Sequence, residues 1–176
     1  HTIMNAKRII RSYFVDKGFF NTQVDIAEKI DTTAGNMVTL DIYINRGKKM
    51  KISEIAIEGN EYVDDRVIKK SMKDTKEKKI YHLFKASKYI PSKFEKDKSL
   101  VLSKYKEQGY RDVALVHDSV IIKNEKELMI NLKIEEGIKY YFGDVTWVGN
   151  TKYTDKQLNE ILNIKRGDVY NQTVLD

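Results

Sequence analysis

The stretch KISEIAIEGN at 51–60 has a counterpart ninety residues on, YFGDVTWVGN at 141–150. In that register Gly59-Asn60 falls on Gly149-Asn150, and Ile52, Ile55 and Ile57 fall on Phe142, Val145 and Trp147. Asp65 meets Asp155 and Ile68 meets Leu158. Upstream, Leu40, Ile42 and Ile44 meet Ile130, Leu132 and Ile134, and Gly47 meets Gly137. A shift of 91 joins Gly18-Phe19 to Gly109-Tyr110, and Ile10 and Phe14 to Val101 and Tyr105. Chance rarely places so many glycines and apolar positions in one register, so the chain reads as a tandem repeat.

One period resolves into elements. Residues 51–58 are a strand with Ile55 and Ile57 on one face. Ile52 is out of phase with them, as Phe142 is with Val145 and Trp147, which predicts a lead-in with a bulge. Gly59-Asn60 is a turn. A helix begins near Asp64-Asp65, whose charge suits the positive end of a helix, and carries Val67, Ile68 and Met72. Pro91-Ser92 opens a second helix with Phe94, Val101 and Tyr105 at helical spacing, and Gly109 ends it. Strands follow at 110–122 and 127–135, joined by a turn at Lys123–Lys126 that DTTAGN (31–36) matches in the earlier copy. The fold class is α+β, each unit β-α-α-β-β, with two helices covering one face of a three-stranded sheet. The expected organisation is the back of a unit at 1–47, a complete unit at 48–137, and the front of another at 138–176. That last part should hold a strand, a helix, and the start of a second helix near Asp168.

Composition bounds the function. The chain has 176 residues, 41% hydrophobic and 33% charged, with no cysteine. That excludes a disulfide scaffold, thiolate metal sites and cysteine nucleophiles. No apolar run approaches the ~18 residues needed to span a bilayer. Lys7, Arg8 and Arg11 lie in an amphipathic stretch without an apolar core behind it, so no secretory leader is read. The net charge of +6 is concentrated: residues 73–93 hold seven lysines against Asp74 and Glu77. His1, His82 and His117 fall in different elements, none with ligand spacing. His117 and Asp118 are neighbours on a strand and point to opposite faces. There is no phosphate-binding glycine loop and no nucleophile elbow. The chain is expected to be no enzyme and to need no cofactor or metal.

The β-α-α-β-β order, the Gly-Asn after strand one, Tyr105-x-x-x-Gly109-Tyr110 and Glu136-Gly137 together resemble polypeptide-transport-associated (POTRA) domains. Tandem copies resemble the periplasmic arm of BamA-type outer-membrane assembly factors. The lysine-rich stretch KIYHLFKASKYIPSK (79–93) resembles the version in Bacteroidetes-type bacteria. The resemblance implies a periplasmic scaffold attached to the outer membrane through a barrel domain that this chain lacks. Its implied partners are unfolded outer-membrane proteins, accessory lipoproteins and that barrel. It also implies that the last strand is central, which frees the edge of the strand after the glycine, at 111–122 and at 20–30. Arg111, Val113, Leu115, His117, Ser119 and Ile121 then become the candidate binding residues for an added peptide strand.

Two other surfaces are candidates. In 73–93, Ile80, Leu83, Phe84 and Ile90 fall on one helical face, and Lys78, Lys79, Tyr81, Phe84, Lys85 and Lys88 make a candidate docking surface for acidic partners or headgroups. Packing of these aromatics on their own domain is the competing reading. At the handover between units, Gly47, Ile52, Gly137 and Phe142 are candidate joint residues. Two alternative functions are weighed: the POTRA region of a two-partner-secretion translocator, and a nucleic-acid module stacking bases on Tyr81, Phe84 and Tyr89. Nucleic acid is not the expected partner, because the basic patch is one short segment.

Overall fold

The computed structural model describes residues 2–31, 37–78 and 88–175. Helix α1 (Thr2–Val15) leads into an antiparallel pair, β1 (Gln23–Asp31) and β2 (Met37–Asn45). The turn expected at 31–36 lies almost wholly outside the described residues. The second sheet holds β3 (Lys51–Glu58), β4 (Ala114–Ile122) and β5 (Glu127–Glu135) in the order β3-β5-β4. β5 is parallel to β3 and antiparallel to β4, so the last strand is central. Between β3 and β4 the chain forms α2 (Asp65–Ser71) and α3 (Pro91–Glu107).

Alternation along β5 builds the core. Leu128, Ile130, Leu132 and Ile134 are buried, while Lys133 and Glu135 are exposed. The buried row meets Ile68 of α2 and Phe94, Val101 and Tyr105 of α3 in one cluster. Each such side chain contributes roughly 1.5–3 kcal/mol by leaving water. The phase break in β3 is a bulge: the register with β5 shifts between Ile52 and Glu54, and the Ser53 hydroxyl donates to the Leu128 carbonyl (3.0 Å). Both Ile52 and Ile55 therefore point into the core.

The repeat holds at the level of single hydrogen bonds. Gly59 and Gly149 both have positive φ (82° and 84°). The Asn60 amide donates to Val63 O and Asp65 Oδ1, and the Asn150 amide to Tyr153 O and Asp155 Oδ1. Asp64 caps α2 by accepting from the Arg66 N–H, and Thr154 caps α4 (Asp155–Leu162) with a capping box. At the helix ends, Phe19 N–H reaches Phe14 O and Tyr110 N–H reaches Tyr105 O. Two buried carboxylates tie the loops: Asp97 accepts from the N–H groups of Lys73, Asp74 and Thr75, and Glu136 from those of Glu61, Tyr62 and Val63.

Three expectations need correction. The strands read as 20–30 and 110–122 begin later, at Gln23 and Ala114. After each glycine the chain first turns, with Thr22 Oγ1 bonding Phe19 O (2.7 Å) and Arg111 N–H bonding Gly109 O (3.1 Å). No strand forms at 142–147, because no partner strand like β5 stands beside it within the described residues. The start of a second helix, expected at Asp168-Val169-Tyr170, comes later, as a 3-10 turn at Gln172–Val174.

The Tyr105 hydroxyl is buried without a hydrogen bond of normal geometry. Burial, then the nearby Glu136 carboxylate, push its pKa well above the ordinary phenol range. Phe14 occupies the same repeat position without a hydroxyl. Tyr105→Phe is expected to leave the unfolding free energy from urea titration unchanged or raise it by up to about 1 kcal/mol, since an orphaned polar atom is removed. A loss of about 2 kcal/mol or more would mean the hydroxyl is bonded after all.

Candidate partner-binding edge and repeat joints

A three-stranded sheet has two edges, and here they are treated differently. The outer edge of β3 is covered by the chain on either side of 79–87. Lys78 N–H donates to Ile52 O (2.8 Å) and Tyr89 N–H to Met50 O (2.9 Å). Lys88 bridges Lys51, and the Glu77 carboxylate accepts from Ile55 N–H (2.8 Å) and from Lys69 (2.9 Å). Among the described residues no such cover lies along β4. Among the described residues β3 is thus the covered edge and β4 the edge with unpaired backbone groups.

The hydrogen-bond phase of β4 follows from its hairpin. Lys123 N–H donates to Glu127 O (2.9 Å), so this is a bonded pair. Alternation places Ile121, Ser119 and His117 in bonded pairs with Met129, Asn131 and Lys133. The N–H and C=O groups of Asp118, Val120 and Ile122 are left facing away from the sheet.

The six edge residues chosen from sequence do not share a face. A bulge at Val116 shifts the register between Leu115 and His117. Val113 is buried and Leu115 packs against the core, while His117, Ser119 and Ile121 lie on the open face and Arg111 lies before the strand. The sequence does not mark this bulge, since apolar residues stand at both odd (Val113, Leu115, Ile121) and even (Val116, Val120, Ile122) positions. On the helix face, Lys98 of α3 bonds Asp118 (3.1 Å) and Glu95 (2.8 Å). Burial opposes the Lys98 ammonium, but its two carboxylate partners outweigh that and hold its pKa above the usual range.

Of the basic candidates, Lys79, Tyr81, Phe84 and Lys85 lie outside the described residues. Lys78 pairs with Glu127 (3.3 Å), and Lys88 stands at the first joint. Tyr89 is 5% exposed and packs on Phe20 and Phe94, so its ring is closed to base stacking.

The joints are built by main chain. Met50 N–H donates to Gly18 O (3.1 Å), and Tyr140 N–H to Gly109 O (2.9 Å). The carbonyl of each joint residue then accepts from a tyrosine N–H: Tyr89 to Met50 O, and Tyr170 to Tyr140 O (3.0 Å). Ring pairs sit beside both, Phe20 with Tyr89 (5.1 Å) and Phe142 with Tyr170 (5.0 Å). Gly47 and Gly137 adopt positive φ (65° and 70°) where the chain enters each joint. Ile52 belongs to the core of its own unit. Sequence reasoning missed Gly18 and Gly109 as joint residues and read Gly109 only as a helix end. A Cβ on Gly109 would lie 2.8 Å from Val169 Cγ1 and 3.0 Å from Tyr140 O. The Tyr140 hydroxyl donates to Asp112 (2.6 Å), which raises its pKa.

Among the described residues no group of three or more His, Cys, Asp or Glu side chains is placed to hold a metal ion, and no helix is long and apolar enough to cross a membrane. The chain is 28% identical over 171 residues to the outer membrane protein assembly factor BamA of Neisseria meningitidis serogroup B, covering 96% of this chain and 21% of that protein. It is 31% identical over 175 residues to BamA of Neorickettsia risticii, covering 97% of this chain and 23% of that protein. It therefore spans about a fifth of the length of these relatives. The crystal structure of BamA from Haemophilus ducreyi lacking POTRA domains 1–3 shares the fold, with a TM-score of 0.50 at 17% identity over 82% of this chain and 24% of that one. The POTRA family model, described as surface antigen variable number repeat, matches residues 50–137 and again 140–176. The bulged first strand, the Gly-Asn turn and the central last strand all lie within the first matched stretch, and the chain belongs to the POTRA family.

Proposed function

We propose that this chain is part of the periplasmic arm of an outer-membrane β-barrel assembly factor, with one complete unit at about 48–137 between parts of two others. It acts as a scaffold and receptor. Extended segments of unfolded outer-membrane proteins, or of accessory lipoproteins, add as a strand to the outer edge of β4. The membrane barrel of the parent protein lies outside this chain. The observation that carries the reading is the asymmetry of the edges: main chain and Glu77 cover β3, and nothing described covers β4. Strand addition draws its affinity from backbone groups and asks little of the sequence, which suits a receptor for many clients.

The test is a titration of the isotope-labelled chain with an unfolded outer-membrane strand peptide, followed by amide NMR shifts. Shifts are expected along Ala114–Ile122, largest at Asp118, Val120 and Ile122. Val120→Pro removes an outward N–H and is expected to abolish these shifts while the fold persists, because an edge strand tolerates proline there. Ser119→Pro removes a bond to β5, leaves its acceptor unsatisfied and is expected to destabilise the unit by about 1–3 kcal/mol. Shifts confined to residues outside β4, or peptide binding undiminished in Val120→Pro, would sink the reading.

A further inference from the structure

Some basic side chains on the described residues are paired with a carboxylate, as Lys7 is with Asp25, Lys69 with Glu77, Lys98 with Asp118 and Lys123 with Glu54. Arg46, Lys49 and Lys88 are not paired, and they stand close enough together for Lys88 and Arg46 to act on Lys49. Among the described residues none of them has a carboxylate within ion-pair distance. They come from two separate segments and meet at the first joint, Arg46 and Lys49 over one ring and Lys88 beside Gly18. The Arg46 guanidinium and the Lys49 ammonium each lie 5.1 Å from the centre of the Phe19 ring. The stem of Lys88 lies against Gly18, where an added Cβ would be 3.2 Å from Lys88 Cβ. The charge of Lys88 is the largest cause holding Lys49 below the usual lysine range; partial desolvation and Arg46 add to it, and no carboxylate counters them.

Main chain forces this crowding. The bond from Met50 N–H to Gly18 O fixes 46–50 across the end of α1, and the bond from Tyr89 N–H to Met50 O brings Lys88 beside it. The second joint has the same backbone bonds and different charges. There Lys139 lies over Tyr110 (5.8 Å) as Lys49 lies over Phe19. In repeat register, however, Glu136 stands where Arg46 does, and Val169 where Lys88 does. The three-cation arrangement is thus a property of the first joint and not of the repeat.

We infer that Arg46, Lys49 and Lys88 form a binding site for a doubly charged oxyanion, a phosphomonoester or inorganic phosphate, held across the joint between 1–47 and the complete unit. Arginine offers a planar fork to two oxygens, and the ring beneath it orients the fork in advance. The lysines supply point charges from either side, and a dianion offsets their mutual repulsion better than a single carboxylate does. Because the ligand touches both segments, it fastens the joint as it binds.

The test is an NMR titration of the 176-residue chain with inorganic phosphate at constant ionic strength. Saturable shifts are expected at the Phe19 ring, Arg46, Lys49 and Lys88, with Tyr110 and Lys139 silent as an internal control. Arg46→Gln and Lys49→Gln, both on exposed side chains, are each expected to weaken binding about tenfold, the size of one charge-assisted hydrogen bond, with unchanged circular dichroism. A second arm sediments the chain with vesicles of phosphatidylcholine alone or with added phosphatidic acid. Phosphate binding together with capture by phosphatidic acid, lost in Arg46→Gln, assigns the site to a lipid headgroup; phosphate binding without capture assigns it to a soluble phosphate. Linear shifts spread over surface lysines, equal shifts at Tyr110 and Lys139, or an affinity indifferent to Arg46→Gln would overturn the site.

Discussion

Asp97→Ala is expected to destabilise the complete unit by roughly 3–5 kcal/mol, read as a fall in the urea midpoint at unchanged slope. Asp97 is 1% exposed and sits on α3 facing the loop that leaves α2. Its carboxylate takes the N–H groups of Lys73 (2.7 Å), Asp74 (3.0 Å) and Thr75 (2.6 Å). Alanine leaves all three donors without their acceptor. Thr75 is itself buried, so water cannot reach every one. Bonds to a charged acceptor are each worth about 1.5–3 kcal/mol, and partial rehydration of the exposed Lys73 and Asp74 brings the sum down. Asp97→Asn keeps one acceptor oxygen and is expected to lose about half as much. The same loop runs on to Glu77 and Lys78, which cover β3. Amide exchange at Ile55 should therefore quicken in Asp97→Ala more than at Ile130. A loss below about 1 kcal/mol, or no change in exchange at Ile55, would refute this account.

Gly59→Ala and Gly149→Ala are expected to differ sharply although they change the same repeat position. Both glycines have positive φ, 82° and 84°, which L-residues reach at about 1–2 kcal/mol. At Gly59 a Cβ would also lie 2.1 Å from the Ile134 carbonyl oxygen, a main-chain atom in the central strand that cannot swing aside. At Gly149 nothing lies within 4 Å. Gly59→Ala is expected to destabilise the complete unit by about 4 kcal/mol or more, because the parallel β3-β5 contact must open to admit a methyl group. Gly149→Ala should leave that unit's unfolding transition where it is. Equal losses would mean that the close approach at Gly59 relaxes freely.

Much of this was legible because the repeat reads the sequence twice. The bulge at Ser53 was visible as a phase break at Ile52 and again at Phe142, and β3 and β5 have the ends that their alternation marks. What misled was local. The residues after Gly18 and Gly109 carry β-favouring aromatic and branched side chains, yet a turn claims them first, so both strands start late. The bulge at Val116 divided the candidate edge residues between two faces, and unlike the bulge in β3 it had no second copy to expose it. The cover over β3 was not readable, since Glu77 and Lys78 look like members of a charge run until Ile55 and Ile52 are seen to be their partners. The joint cations were hidden for a related reason: Phe19, Arg46 and Lys88 are far apart in sequence, and only main-chain bonds bring them together.

Those joint bonds have a consequence for how such arrays grow. The carbonyls of Gly18 and Gly109, the N–H groups of Met50 and Tyr140, and those of Tyr89 and Tyr170 belong to the backbone. Their bonding does not depend on which side chain the joint residue carries. A segment excised just before Met50 and just before Tyr140 would present matching ends, and a duplicated one would dock with its hydrogen bonds already specified. Whole repeats can thus be gained or lost by recombination, while the side chains at the seam drift apart. Methionine against tyrosine, and the cations of one joint against the Glu136 and Val169 of the other, show how different the side chains over the same bonds can be.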